Sequence, residues 1–73
     1  QRNTLTTLAM LNKGDRFYKA RDGKRKVHEV KELYYDRGTL TAVHYSSGLF
    51  KTKVTINKTP TELEVIYLRN ANE

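Results

Sequence analysis

Apolar and polar positions along the 73-residue chain alternate over short runs that turn-forming residues interrupt, a pattern of consecutive strands. Residues 15–20 read as one strand, in which adjacent Phe17 and Tyr18 cannot both face the core. With Phe17 inward, Tyr18 lies outward on the side of Arg16. Residues 21–24 hold an Asp22-Gly23 turn, residues 36–38 a second turn at Gly38, and Ser47-Gly48 a third. Strands are predicted over 39–46, 49–57 and 62–68, with the break at 58–61 set by Pro60, which cannot donate to a ladder.

Two segments are less regular. Residues 25–35 (RKVHEVKELYY) place Val27, Val30 and Tyr34 at helical spacing, yet short turns flank them on both sides. A strand with a bulge near His28-Glu29 returns both valines to one face and keeps every connection short. The alternative is an α+β fold with a helix at residues 25–36. At the N-terminus, Leu5, Leu8, Ala9 and Leu11 form one apolar stripe, with Asn3 or Thr4 as N-cap and Gly14 as the stop, so residues 1–13 are expected to be a short helix or arm. Three threonines weaken that helix and leave a strand open.

The third hairpin fixes a register if Ser47-Gly48 is a two-residue loop. Tyr45 then pairs with Phe50, Val43 with Thr52, Thr41 with Val54 and Thr39 with Ile56. The expected core is Phe17, Val30, Leu33, Val43, Tyr45, Phe50, Val54, Ile56, Leu63, Val65 and Tyr67. His44 lies on the outer face with Lys51 and Lys53, and Glu62 and Glu64 of the last strand face those lysines. One domain spans residues 1–73, with a β unit at 14–68 and a polar tail at 69–73. The expected fold is mainly β, a small five-stranded antiparallel half-open barrel, because curling buries a single apolar face with few free edges. In strand order and turn spacing, residues 13–68 resemble the SH3-like (Src-homology-3-like) small barrels. The glycine pattern of a KOW motif and the aromatic cage of a Tudor domain have no counterpart here, and the fold alone implies no function.

Size narrows the chemistry, since a chain this short buries roughly 60% of its unfolded surface and leaves little room for an internal cleft. There is no cysteine, hence no disulfide frame and no thiolate metal site. No apolar run approaches the length of a membrane span, residues 1–12 lack the form of a secretory signal, and a cytoplasmic, intracellular location is expected. His28 and His44 have no Ser-His-Asp or Cys-His arrangement around them, the acidic residues match no metal spacing, and the glycines stand singly at turns. No catalytic residue, cofactor or metal is assigned, and the chain is not read as an enzyme.

Charge gives the sharpest signal. The run RFYKARDGKRK at 16–26 holds Arg16, Lys19, Arg21, Lys24, Arg25 and Lys26 against Asp22 alone, a local excess of five out of a net +6. Such a concentrated field attracts polyanions. The expected function is a small basic nucleic-acid-binding domain that contacts the phosphate backbone of DNA or RNA with weak sequence specificity. Arg16, Lys19, Arg21, Lys24, Arg25, Lys26, Lys51 and Lys53 are the expected phosphate-binding residues, with Tyr18 as a stacking ring. The alternative is a protein-interaction module, such as an accessory or inhibitor protein of a mobile element or virus, docking an acidic partner surface. A subunit of a larger assembly or a homo-oligomer also suits a small core. No membrane partner is expected.

Overall fold

The computed structural model describes residues 3–47 and 53–72. Its strands are β1 (Thr4–Thr7), β2 (Asp15–Lys19), β3 (His28–Asp36), β4 (Thr39–Ser47), β5 (Val54–Asn57) and β6 (Glu64–Asn70). They form one antiparallel sheet in the order β1-β6-β2-β3-β4-β5. The mainly-β expectation holds, with six strands among the described residues instead of five, and with β1 and β5 as edges of a sheet that does not close on itself. No helix among the described residues is long and apolar enough to cross a membrane.

The extra strand is the segment expected to be an N-terminal helix. A lone helix of about ten residues is marginal in water, and β-branched Thr4, Thr6 and Thr7 favour an extended chain once a partner strand exists. That partner is β6, with Leu5 opposite Ile66 and Thr6 opposite Val65. The chain then tightens into a 3₁₀ turn at Leu8–Met10. Leu8 and Leu11, three residues apart, are both buried there. The turn is tied down by Leu8 N–H to Leu63 O (2.9 Å) and Ala9 N–H to Pro60 O (3.0 Å).

Residues 25–36 form a strand from His28 onward, not a helix. The ladder is irregular at Lys31 instead of His28-Glu29, with Val30 paired to Tyr45 and Glu32 to His44 so that Lys31 has no partner, and again on β4, where Tyr34 pairs with Ala42 and Tyr35 with Leu40. The bulge keeps His28, Val30 and Leu33 on the core face while Glu29 points outward. The β3-β4 hairpin closes through Arg37 and Gly38, both at positive φ (53° and 81°), between paired Asp36 and Thr39. This is the twist that a two-residue hairpin loop needs, and glycine supplies half of it without steric cost.

Beyond β4 the register differs from the expected one. Ser46 pairs with Val54, His44 with Ile56 and Val43 with Asn57, so the connection is longer than two residues. The pairing sum moves by an odd number, which turns every β5 side chain to the other face. Val54 and Ile56 are therefore 48% and 54% exposed, not core residues. Phe50, Lys51 and the Gly48 half of the expected turn lie outside the described residues. His44 does lie on the outer face, but beside Ile56 and against Tyr34 (ring centroids 4.3 Å apart). β6 sits between β1 and β2, so Glu62 and Glu64 do not face Lys53 across a strand pair. The expected polar tail begins inside β6, which includes Arg69 and Asn70.

The core is Leu8, Leu11, Phe17, Val30, Val43, Tyr45 and Val65, with Leu33, Leu40, Leu63 and Tyr67 packed against it. Asp15 is buried at the start of β2 and anchors both neighbouring segments. Its carboxylate accepts from Asn12 N–H (2.7 Å) and from Asn70 Nδ2 (2.8 Å).

Candidate nucleic-acid interface

The antiparallel order gathers one set of chain ends. Phe17 pairs with His28, His28 with Ser47, Ser46 with Val54 and Lys19 with Val65. Consequently the β2-β3 connection, the end of β4, and the starts of β5 and β6 all lie at the same end of the sheet. The β2-β3 connection is a tight one: Asp22 N–H donates to Lys19 O (3.0 Å), and Gly23–Arg25 form a 3₁₀ turn. Along this connection Arg21, Lys24 and Lys26 are exposed. Lys53, just before β5, is exposed at the same end. None of these four makes an ion pair among the described residues.

The other expected phosphate-binding residues divide differently. Arg16 and Tyr18 project from the outer face, as read from Phe17 being inward. Arg16 is engaged there, its Nε 3.5 Å from Glu29 Oε1, while Lys31 Nζ lies 3.0 Å from Glu29 Oε2. Tyr18 is half-buried opposite Ile66. Lys19 points to the core side and sets its ammonium 5.5 Å from the Tyr45 ring centroid, a cation over an aromatic face. Arg25 is placed by its backbone in the 3₁₀ turn, and Lys51 lies outside the described residues.

Beneath this turn lies a histidine whose environment sequence reasoning missed. His28 is 6% exposed, with its ring centroid 5.3 Å from that of Phe17 and 5.1 Å from that of Tyr45. Neither ring nitrogen has a hydrogen-bond partner among the described residues. Burial pushes its pKa below the ordinary value of 6.5, and Lys19 adds to the effect; Asp22 opposes it, and Lys26 lowers it further. The available signal was the alternation of His28 with Val30, in phase with Phe17 across the pair.

A separate open cleft of about 420 Å³ is lined by Thr4, Thr6, Met10, Leu11, Asn12, Asp15 and Tyr67. Its buried carboxylate is the Asp15 already held by Asn12 and Asn70, which gives it a structural task. Among the described residues no cluster of three His, Asp or Glu side chains is placed to hold a metal.

Comparison of the chain with protein-family models, curated proteins and solved structures finds no match.

Proposed function

We propose that this domain binds nucleic acid through the phosphate backbone, using the basic end of its sheet. The observation that carries the reading is the group of four exposed cations, Arg21, Lys24, Lys26 and Lys53, that lie at one end of the sheet and form no ion pair among the described residues, although Asp22, Glu62 and Glu64 share that end. Lysine and arginine displayed this way neutralise phosphates and release counterions, which supplies affinity without reading bases. The described residues offer no α-helix to enter a major groove, in keeping with weak sequence preference. The role is binding rather than catalysis, on intracellular DNA or RNA. We also read β2 to β6 as the strand set of an SH3-like half-open barrel, because the last strand returns to pair with the first of that set, and β1 as an addition at its edge.

The test is titration of fluorescent single- and double-stranded DNA and RNA at several salt concentrations. Changing Arg21, Lys24, Lys26 and Lys53 to Ala is expected to weaken binding alike for all sequences. The slope of log affinity against log salt should fall by about 0.7–0.9 for each phosphate that the variant no longer neutralises. Circular dichroism should be unchanged, because exposed loop substitutions cost roughly 0.5 kcal/mol or less. A parent domain with no salt-dependent affinity for any of the four ligands would overturn the reading and turn the search to an acidic protein face on the same surface.

A further inference from the structure

We propose that a second copy of this chain pairs antiparallel along β5, joining the two sheets edge to edge. Among the described residues β5 is hydrogen-bonded to β4 on one side and is a sheet edge on the other. Natural edges are protected by shortness, by charges, by proline or by a covering segment, and β5 has the first of these, being four residues long with Lys53 and Lys58 just outside it. Within Val54–Asn57 there is neither charge nor proline, and Val54 and Ile56 stand exposed on the outer face. That apolar character continues inward from the edge, since Ile56 lies opposite His44, which packs on Tyr34, itself 44% exposed.

The strand is complementary to itself in a register that sets its two exposed apolar residues against each other. With a twofold axis through Thr55, Val54 of one copy faces Ile56 of the other, Thr55 faces Thr55, and Lys53 faces Asn57. Moving the partner by one residue sets Lys53 against Lys58 and turns the outer face of one sheet toward the core side of the other. Moving it by two sets Val54 against Lys58. Like-charge and apolar-on-charge pairs thus oppose both shifts toward Lys58, and the register centred on Thr55 is the one that sets the two exposed apolar residues against each other. Because β5 begins at the basic end, the pairing points the two basic ends in opposite directions along the joined sheet. The pairing does not depend on what those ends bind.

Sedimentation equilibrium over a range of protein concentrations tests it. The expected result is a reversible shift from the 8.5 kDa monomer to a species of twice that mass. Ile56→Lys and, separately, Val54→Lys should each raise the dissociation constant by about tenfold or more, as each change strikes the interface twice. Leu5→Lys, at the opposite edge of the same face, should leave it unchanged. Each variant's dichroism is checked for retained fold. A monomer at every soluble concentration overturns the proposal, as does a dimer that both β5 variants leave intact or that Leu5→Lys dissolves.

Discussion

His28 should make the stability of this domain fall with acidity over a window set by one residue. The ring is enclosed by Phe17 and Tyr45, with Lys19, Lys26 and Asp22 as the charged groups acting on it and no partner on either nitrogen among the described residues. Its folded-state pKa lies below 6.5, so between that lowered value and 6.5 the unfolded chain binds a proton that the folded one refuses. Stability is therefore complete above 6.5 and falls as pH drops, with a limiting slope of about 1.4 kcal/mol per pH unit, until the folded pKa is passed. The perturbation that isolates the effect is His28→Leu. It removes two buried unpartnered nitrogens, a relief of about 1–3 kcal/mol, and gives up aromatic packing with Phe17 and Tyr45 of about 0.5–1.5 kcal/mol. Near pH 8 the variant should thus equal or slightly exceed the parent, and near pH 5 it should exceed it by more. Urea unfolding followed by dichroism at a series of pH values measures both proteins, and in the difference curve the carboxylates common to both largely cancel. A flat difference curve, or a parent that gains stability relative to the variant as pH falls, would refute the reasoning.

The remaining predictions concern the two faces of β2 and its anchor. Arg16→Ala should leave the salt slope of nucleic-acid binding almost unchanged, because its guanidinium faces Glu29, whereas Tyr18→Ala should reduce single-strand affinity more than duplex affinity if the ring stacks on a base, by about 1–3 kcal/mol. Asp15→Ala should destabilise the fold by about 1–3 kcal/mol in urea unfolding, because two part-buried donors, Asn12 N–H and Asn70 Nδ2, lose a charged acceptor. Gly14→Ala should destabilise it by about 1–2 kcal/mol, since Gly14 has φ +90° and an added Cβ would meet Asn70 Nδ2 at 3.2 Å.

Local pattern was a sound guide wherever one short turn joined two alternating runs. Phe17, Val30, Val43, Tyr45 and Val65 are buried as their alternation implied, and the Gly38 turn fell where the sequence placed it. It failed where a single assumption controlled many residues. Reading Ser47-Gly48 as a two-residue loop fixed the register of β5, and the observed pairing of Ser46 with Val54 reversed the faces of Val54 and Ile56. The N-terminal stripe failed for a different reason. Leu8 and Leu11 are three apart, which fits an α-helix and a single 3₁₀ turn equally well, and pairing of the preceding threonines with a strand some 60 residues away decided between them. No local signal carries that choice.

The same limit applies to the basic run at 16–26. Along the chain it reads as one patch, but β2 alternates. Arg16 and Tyr18 leave by the outer face, Phe17 and Lys19 by the core face, and only the residues after the strand reach the end of the sheet. Arg16 is matched by Glu29, and Lys19 rests on Tyr45, which places both in the fabric of the domain. The basic end that remains, the proposed interface, is smaller than the run and gains Lys53, a residue more than 25 positions away. Sheet topology, rather than charge density along the chain, thus sets which cations a polyanion meets together, and it places buried His28 directly behind them in the β2-β3 pair. A phosphate held at that end would weaken the push of Lys19 and Lys26 on the His28 ring and raise its pKa toward the ordinary value, so bound nucleic acid should shift the ring titration upward. Nuclear magnetic resonance of the His28 ring with and without a short oligonucleotide reads that shift; an unchanged titration under saturating ligand would place the phosphates elsewhere.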